Sequence, residues 1–479
     1  MNKTPFIKLI RKYNLYYFYD VNTNEVVKIS KELYELFEKE SNSDIQTILS
    51  VLDDEKVKVE INKLLGYGFL SSNRPIINKH FLSDYIRIYQ AGDLDKLTLQ
   101  VTQNCNFKCR YCGYAGDGYL NRIHNTNTMS YDIAYRAVEF FLSHSFNSKE
   151  LNVGFYGGEP LLEGELIQSV IKYIESKALG KKITYRITTN GSVADKRLLD
   201  FMENYNVHLM VSFDGPKRIQ NKNRRYAING RETYDTVEKN LNNLKDYYPN
   251  LYNKLSLHSV IDPSENYNDY IKFFTNNKHF IERSYSTSII DDSKTIYKTK
   301  YSDKFVETDA LNEMLYYYSK MYEKSNHVKS LYVHNYEKTS LNDKFARMPL
   351  LDENYHHGGA CIPGVTRLFV DVKGEFYPCE KISENSECMK IGNVYKGFDN
   401  EKIQSQLNIV SLCGNDCSNC WAIRHCSICC NQVDNFNEFS LKIKKDICKR
   451  NMKSLLTDME KFILLNEVTK NEKCSYRSL

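Results

Sequence analysis

Residues 104–116 read NCNFKCRYCGYAG, with Cys105, Cys109 and Cys112 separated by three residues and then two. A structural zinc site closes with four protein ligands, and a common iron–sulfur cubane uses four thiolates. Three cysteines hold three of a cubane's four irons and leave one open to an outside chelate. The segment just before it, KLTLQVT from Lys96, reads as a strand, so the cysteines follow a strand end.

From there a rhythm begins. The helical stretch SYDIAYRAVEFFLSH follows, then LNVGFYG as a strand, ELIQSVIKYIES as a helix and ITYRITTNG as a strand. KRLLDFMENY, VHLMVSFDG, TVEKNLNNLKDY, LSLHSVID, NYNDYIKFF and IERSYSTSII continue the alternation to a sixth strand. Strands alternating with helices predict a parallel sheet in an α/β fold. Six repeats suit an open, partial (β/α)6 barrel better than a closed one of eight. Ligands in such sheets sit at the carboxyl ends of the strands. The cysteines, GGEP, TTNGS and SFDGP follow the first four strands in turn, so they converge on one site.

The chain has 479 residues, 42% of them hydrophobic, which predicts several domains. A net charge of +5 from 65 basic and 60 acidic residues argues neither for nor against nucleic acid, and with no basic block or aromatic–basic array no nucleic-acid partner is expected. No apolar run is long enough for a signal peptide or a membrane span, so a cytoplasmic location is expected. Fourteen cysteines then point to metal or catalysis rather than disulfides. Three lie in the first cluster and eleven from Cys361 onward.

The expected domains are 1–90, 91–305, a linking helical region 306–354 that includes TDALNEMLYYYSKMYEKS, and 355–479. In the first, LYYFYDVNTNEVVKIS reads as two strands about an Asn-containing turn, followed by SKELYELFEKE with Ser30 as N-cap. EKVKVEINKLLGYGFLSS reads as a second helix, a glycine stop and a short strand. The expectation is a small separate unit of winged-helix type.

The CxxxCxxC loop, with the GGE of Gly157, Gly158 and Glu159, resembles the radical S-adenosylmethionine (SAM) superfamily. The resemblance implies a 4Fe–4S cluster on Cys105, Cys109 and Cys112 whose open iron binds SAM. One electron then cleaves SAM to a 5′-deoxyadenosyl radical, which takes a hydrogen atom from substrate. It also implies that Gly157, Gly158 and Glu159 receive the methionine ammonium, and that Thr188, Thr189, Asn190 and Ser212 contact ribose and carboxylate. Arg224, with Arg225 as the register alternative, corresponds to the arginine on the SAM carboxylate, and Tyr111 to the aromatic beside adenine.

Downstream, Cys361, Gly374 and Cys379, then Cys417, Cys420, Cys426 and Cys430, then Cys448, resemble the SPASM domain with its two auxiliary 4Fe–4S clusters. That resemblance implies Cys417, Cys420, Cys426 and Cys448 on an outer cluster and Cys361, Cys379 and Cys430 on an inner one. Cys413 is a candidate fourth ligand there, with substrate or solvent as alternatives, and Cys429 is the register alternative to Cys430. CxxC pairs by spacing alone suit zinc; the upstream triad favours iron. Cys388 reads as structural, Cys474 as a free thiol and Trp421 as a core aromatic. Glu380 stands where related sulfatase maturases carry a proposed Asp base, so Glu is a departure from their pattern.

The overall resemblance is to maturases of Cys-rich ribosomal peptides, in which a winged-helix element binds a leader peptide as an added strand. It implies a precursor peptide partner, an external flavodoxin- or ferredoxin-type reductant, and thioether links of the sactionine or ranthipeptide type. A formylglycine-forming sulfatase maturase and a C–C cyclophane-forming maturase are the enzymatic alternatives. A zinc-bound nucleic-acid module is the other class, opposed by the net acidic SKELYELFEKE.

Overall fold

The computed structural model describes residues 3–114, 121–178, 180–292, 295, 298–321, 341–357 and 361–468. Cys474 and residues 322–340 of the linking region lie outside the described residues.

Six parallel strands form the expected sheet: β4 (Lys96–Thr102), β5 (Glu150–Gly157), β6 (Lys182–Thr189), β7 (Val207–Ser212), β8 (Ser256–Ile261) and β9 (Ser284–Ile289). They pair in chain order, and crossover helices such as Tyr131–Ser143, Gly164–Lys177 and Lys196–Glu203 cover them. Successive side chains alternate faces. Leu97, Leu99, Val153, Leu209 and Leu257 are buried in the main core. Thr98, Gly154, Thr188, Met210 and Ser256 point the other way and line the hollow of the barrel. Small and polar residues on that inner face keep it open.

The sheet does not stop at β4. The C-terminal region adds β10 (Arg367–Val370) parallel to β4, then β11 (Glu375–Tyr377), β12 (Gly392–Asn393) and β13 (Gly397–Phe398), all antiparallel. The barrel's first edge is thus covered by the Cys-rich region, which removes an exposed strand edge.

The N-terminal unit differs from expectation in three ways. It has three strands, β1 (Ile7–Lys12), β2 (Leu15–Asp20) and β3 (Glu25–Lys28), because IKLIRK also pairs with β2. Three helices follow, Lys31–Lys39, Ile45–Val51 and Glu55–Gly66, and no strand forms after the last. Ser30 caps the first helix as expected, accepting from the Leu33 N–H. Nor is the unit free-standing. One face of its sheet packs on its own helices through Phe18, Leu33 and Ile61. The other, through Tyr17, Tyr19 and Val26, packs on Leu455, Met459 and Phe462 of the C-terminal helix Leu441–Val468. Among the described residues no helix is long and apolar enough to cross a membrane.

Candidate functional site

The cysteine loop is clamped by backbone bonds to the segment after the helix Lys217–Asn223. Lys108 N–H donates to Arg225 O at 2.8 Å, Arg110 N–H to Asn223 O at 2.9 Å, and Ala227 N–H to Asn106 O at 2.8 Å. Burial pushes the Cys105 thiol up to about 12 and that of Cys109 higher, with each other and Cys112 as charged neighbours. Buried thiols of this kind stay protonated until a metal replaces the proton.

GGE sits directly against this loop. A Cβ on Gly158 would lie 2.0 Å from Asn104 O, and one on Gly157, at φ +147°, 2.1 Å from Thr102 O. Only glycine allows that approach. The fully buried Glu159 accepts from Thr189 Oγ1 at 2.7 Å, Asn190 N–H at 2.6 Å and Leu161 N–H at 3.1 Å. A carboxylate accepts about four hydrogen bonds, so three protein donors leave roughly one place for an ammonium. Burial raises Glu159 to about 7, against the pull of those donors. Asn190 carries the tie onward, its Nδ2 donating to Asn106 Oδ1 at 2.8 Å beside Cys105.

Arg224 is buried, with its Nη1 3.9 Å from Cys109 Sγ and its guanidinium carbon 5.5 Å from the Tyr111 ring centre. Its Nε lies 3.0 Å from Asp214 Oδ2, which also accepts from the Tyr111 hydroxyl. Arg225 instead donates to Gly230 O from the surface. Asp214, wholly buried in SFDG, is the hub that sequence reasoning passed over. A buried strand-end acid was its only signal.

His124 was also missed. Its Nδ1 is 3.1 Å from Gln103 O, and a carbonyl only accepts, so Nδ1 carries the proton. Nε2 then faces Cys112 Sγ at 3.5 Å. Burial holds His124 below its ordinary value. Nearby, Arg122 Nε pairs with Glu384 at 2.8 Å, and Gln103 Nε2 donates to the same carboxylate at 2.8 Å. This buried pair fastens the Cys-rich region to the first cysteine loop.

A cavity of about 1310 Å³ joins these parts. Tyr111, Thr188, Ser212 and Arg224 line it from the barrel, and Glu380, Lys381 and Asn431 from the Cys-rich region. Tyr156 lines it too, with Glu380 among its charged neighbours.

The later cysteines sort into two groups. Cys420 and Cys426 neighbour both Cys417 and Cys448, and Cys413, a candidate for the inner group by sequence, neighbours all four. Burial raises Cys417 to about 12 and Cys448 to about 11. Lys444 is buried among them, its ammonium 2.8 Å from Ile409 O, 3.3 Å from Val410 O and 3.7 Å from Cys417 Sγ. In the other group Cys379 and Cys430 both neighbour Cys429. Cys361 is exposed. Cys388 bonds Asp434 Oδ1 at 3.2 Å, as a structural thiol would, and Trp421 packs on the N-terminal core. Among the described residues no three His, Cys, Asp or Glu side chains close on a single metal ion.

A family model described as the radical SAM superfamily matches residues 99–275. The chain is a radical SAM superfamily enzyme. The superfamily implies a 4Fe–4S cluster and SAM. This radical SAM enzyme is 24% identical over 428 residues to the radical SAM cyclopropyl synthase TigE of Paramaledivibacter caminithermalis, spanning 85% of this chain and 83% of that protein. It is 30% identical over 159 residues to a cysteine-type anaerobic sulfatase-maturating enzyme of Clostridium perfringens, covering 32% of this chain and 41% of that one. The fold matches the solved structure described as native anSMEcpe with bound AdoMet and Cp18Cys peptide. The TM-score is 0.54 at 20% identity, over 78% of this chain and 99% of that one.

Proposed function

We propose that this enzyme modifies a ribosomally made, Cys-rich precursor peptide, installing thioether crosslinks with three 4Fe–4S clusters. The observation that carries the reading is the cavity of about 1310 Å³, walled by both the barrel and the Cys-rich region. It exceeds the roughly 300–1,000 Å³ of drug-sized ligand sites, so it has room for SAM and a peptide segment together.

In this reading Cys105, Cys109 and Cys112 hold the first cluster. Tyr111, Gly157, Gly158, Glu159, Thr188, Thr189, Asn190, Ser212 and Arg224 hold SAM. Cys417, Cys420, Cys426 and Cys448, with Cys413 beside them, hold the outer cluster; Cys361, Cys379 and Cys430, with Cys429 adjacent, hold the inner one. The clusters, when bound, supply the electron that cleaves SAM and accept the electron left by bond formation. The substrate C–H hydrogen leaves as 5′-deoxyadenosine. The cysteine S–H proton leaves to a base, for which Glu380 in the cavity wall is placed. The walls hold reacting carbon and sulfur together, which supplies the proximity contribution. The three-stranded N-terminal sheet offers an edge for a leader peptide, and a flavodoxin- or ferredoxin-type protein supplies electrons.

The test is anaerobic incubation of holoenzyme, SAM and reductant with each short Cys-containing peptide encoded by the open reading frames that flank this chain's gene. Each link should remove two hydrogens and make one cysteine inert to alkylation. A second reading, ring closure between carbons, is favoured by the similarity to TigE across most of this chain. It predicts the same mass loss with every cysteine still alkylatable. Loss of the sulfur itself would indicate formylglycine formation.

A further inference from the structure

The chemistry at the carboxyl ends of the strands leaves the opposite rim of the barrel unexplained. There Arg367 and Lys96 are direct partners across β10 and β4. Further in, Arg186 in the middle of β6 is the direct partner of His208 near the start of β7. All four line the cavity, and Lys254 joins them from the end of the short helix Pro249–Lys254 before β8. Among the described residues Lys96, Arg186, Lys254 and Arg367 form no ion pair. Their recorded partners are neutral: Arg186 Nε is 3.4 Å from Asn152 Oδ1, and Lys254 Nζ is 3.0 Å from Asn206 Oδ1.

The cations are close enough to oppose one another. Burial, then Arg367, lowers the Lys96 ammonium, with Arg186 adding to it; Glu380 and Asp95 pull the other way without closing on it. Burial, then Arg186 and Lys254, likewise keep His208 low and neutral. Like charges crowded around the partly buried Lys96 are costly, and Asp95 and Glu380 offset them without closing into an ion pair. SAM cannot relieve them, since its carboxylate, ammonium and sulfonium leave it net positive. A carboxylate on the substrate would supply the close counter-charge that Asp95 and Glu380 do not.

We propose that this rim binds carboxylates, so that the peptide taken by the enzyme is acidic near the residue it modifies. The inference rests on the peptide-modifying reading above. β4 runs six residue steps from Lys96 to Thr102, a depth of roughly 20 Å at about 3.3 Å per residue. An extended peptide crosses that depth in about six residues. The Asp or Glu therefore lies within about six residues of the carbon that loses its hydrogen.

The experiment measures anisotropy of fluorescein-labelled octapeptides on the SAM-loaded, anaerobically reconstituted full chain, at about 0.1 M salt, where screening acts over roughly 10 Å. The peptides alternate Ala with Asp, with Asn or with Lys. The Asp peptide should bind roughly tenfold tighter than its Asn isostere, as expected for charge-assisted bonds. R186Q/R367Q should bring the two within about twofold, while R186K/R367K keeps the preference. Both variants should retain wild-type iron content and peptide-free SAM cleavage, which separates lost charge from lost fold. Equal binding of the Asp and Asn peptides by wild type, binding of neither, or a preference that survives R186Q/R367Q overturns the proposal. A precursor that is modified without any Asp preference would remove this inference and leave the peptide-modifying reading intact. An Asp preference in an enzyme that modifies no peptide would do the reverse.

Discussion

The Glu159 carboxylate takes the backbone N–H of Asn190 at 2.6 Å, tying the turn after β5 to the end of β6 beside Cys105. The carboxyl is wholly buried, and that burial raises it from 4.5 to about 7. One acid thus positions two of the loops that converge on the first cysteine loop.

A pH dependence follows. The folded state keeps the Glu159 proton up to about 7, whereas the unfolded chain releases it near 4.5. The folded state therefore binds more protons between those values, and stability falls as pH rises through that window. The loss attributable to this group is about 3 kcal/mol at most. Denaturant unfolding of metal-free protein at several pH values should show the decline, and E159Q should flatten that portion. An identical pH slope in E159Q would contradict the assignment. E159Q should also lose about 1–3 kcal/mol at low pH, because an amide nitrogen cannot accept from Asn190.

Replacing Cys105, Cys109 and Cys112 together by Ala should abolish reductive SAM cleavage while the later clusters persist. Iron should fall from roughly twelve to roughly eight per chain if every cluster is a cubane. Stoichiometric zinc without iron in oxygen-free preparations would refute the scheme.

Lys444 is a buried cation whose ammonium reaches Cys417 Sγ. A positive donor beside a cluster thiolate favours the reduced state. K444M should therefore lower the outer cluster's reduction potential by some tens of millivolts, read by a redox titration followed by electron paramagnetic resonance. The first cluster's potential should stay unchanged. No shift at the outer cluster would leave Lys444 a packing residue only.

The leader edge calls for a finer probe than deletion. Removing residues 1–90 would uncover Leu455, Met459 and Phe462 as well, so lost binding would be ambiguous. Ile29 N–H donates to Tyr16 O, and alternation then turns the Lys28 N–H toward the open side of β3. K28P removes that donor without breaking the β2–β3 ladder. It should weaken precursor binding several-fold, whereas K28A, which loses only the exposed Glu467 ion pair, should not. Equal affinities for K28P and K28A would place the leader elsewhere.

Much of the barrel was legible because its signals are local. The period-two and helical stretches between Lys96 and Ile289 mark six strands in order. Each special turn follows its strand by a few residues. The CxxxCxxC spacing, GGE and the Ser30 cap needed nothing from outside their own segments. β1 was not legible, since IKLIRK shows no clean alternation and becomes a strand only by pairing with β2.

Tertiary structure alone decided the rest, because those relationships join residues far apart in the chain, where no periodicity records them. It paired Asp214 with Arg224, set His124 against Cys112 and drew Glu384 onto Arg122. It set Cys413 beside the outer thiols, and it set Cys429, the register alternative to Cys430, beside both Cys430 and Cys379. It laid β10 on the edge of β4, which brings Arg367 beside Lys96. Sequence spacing names the thiols and strands; only the tertiary structure brings Lys96, Arg186, Lys254 and Arg367 into one cavity, because they come from strands and helices far apart in the chain.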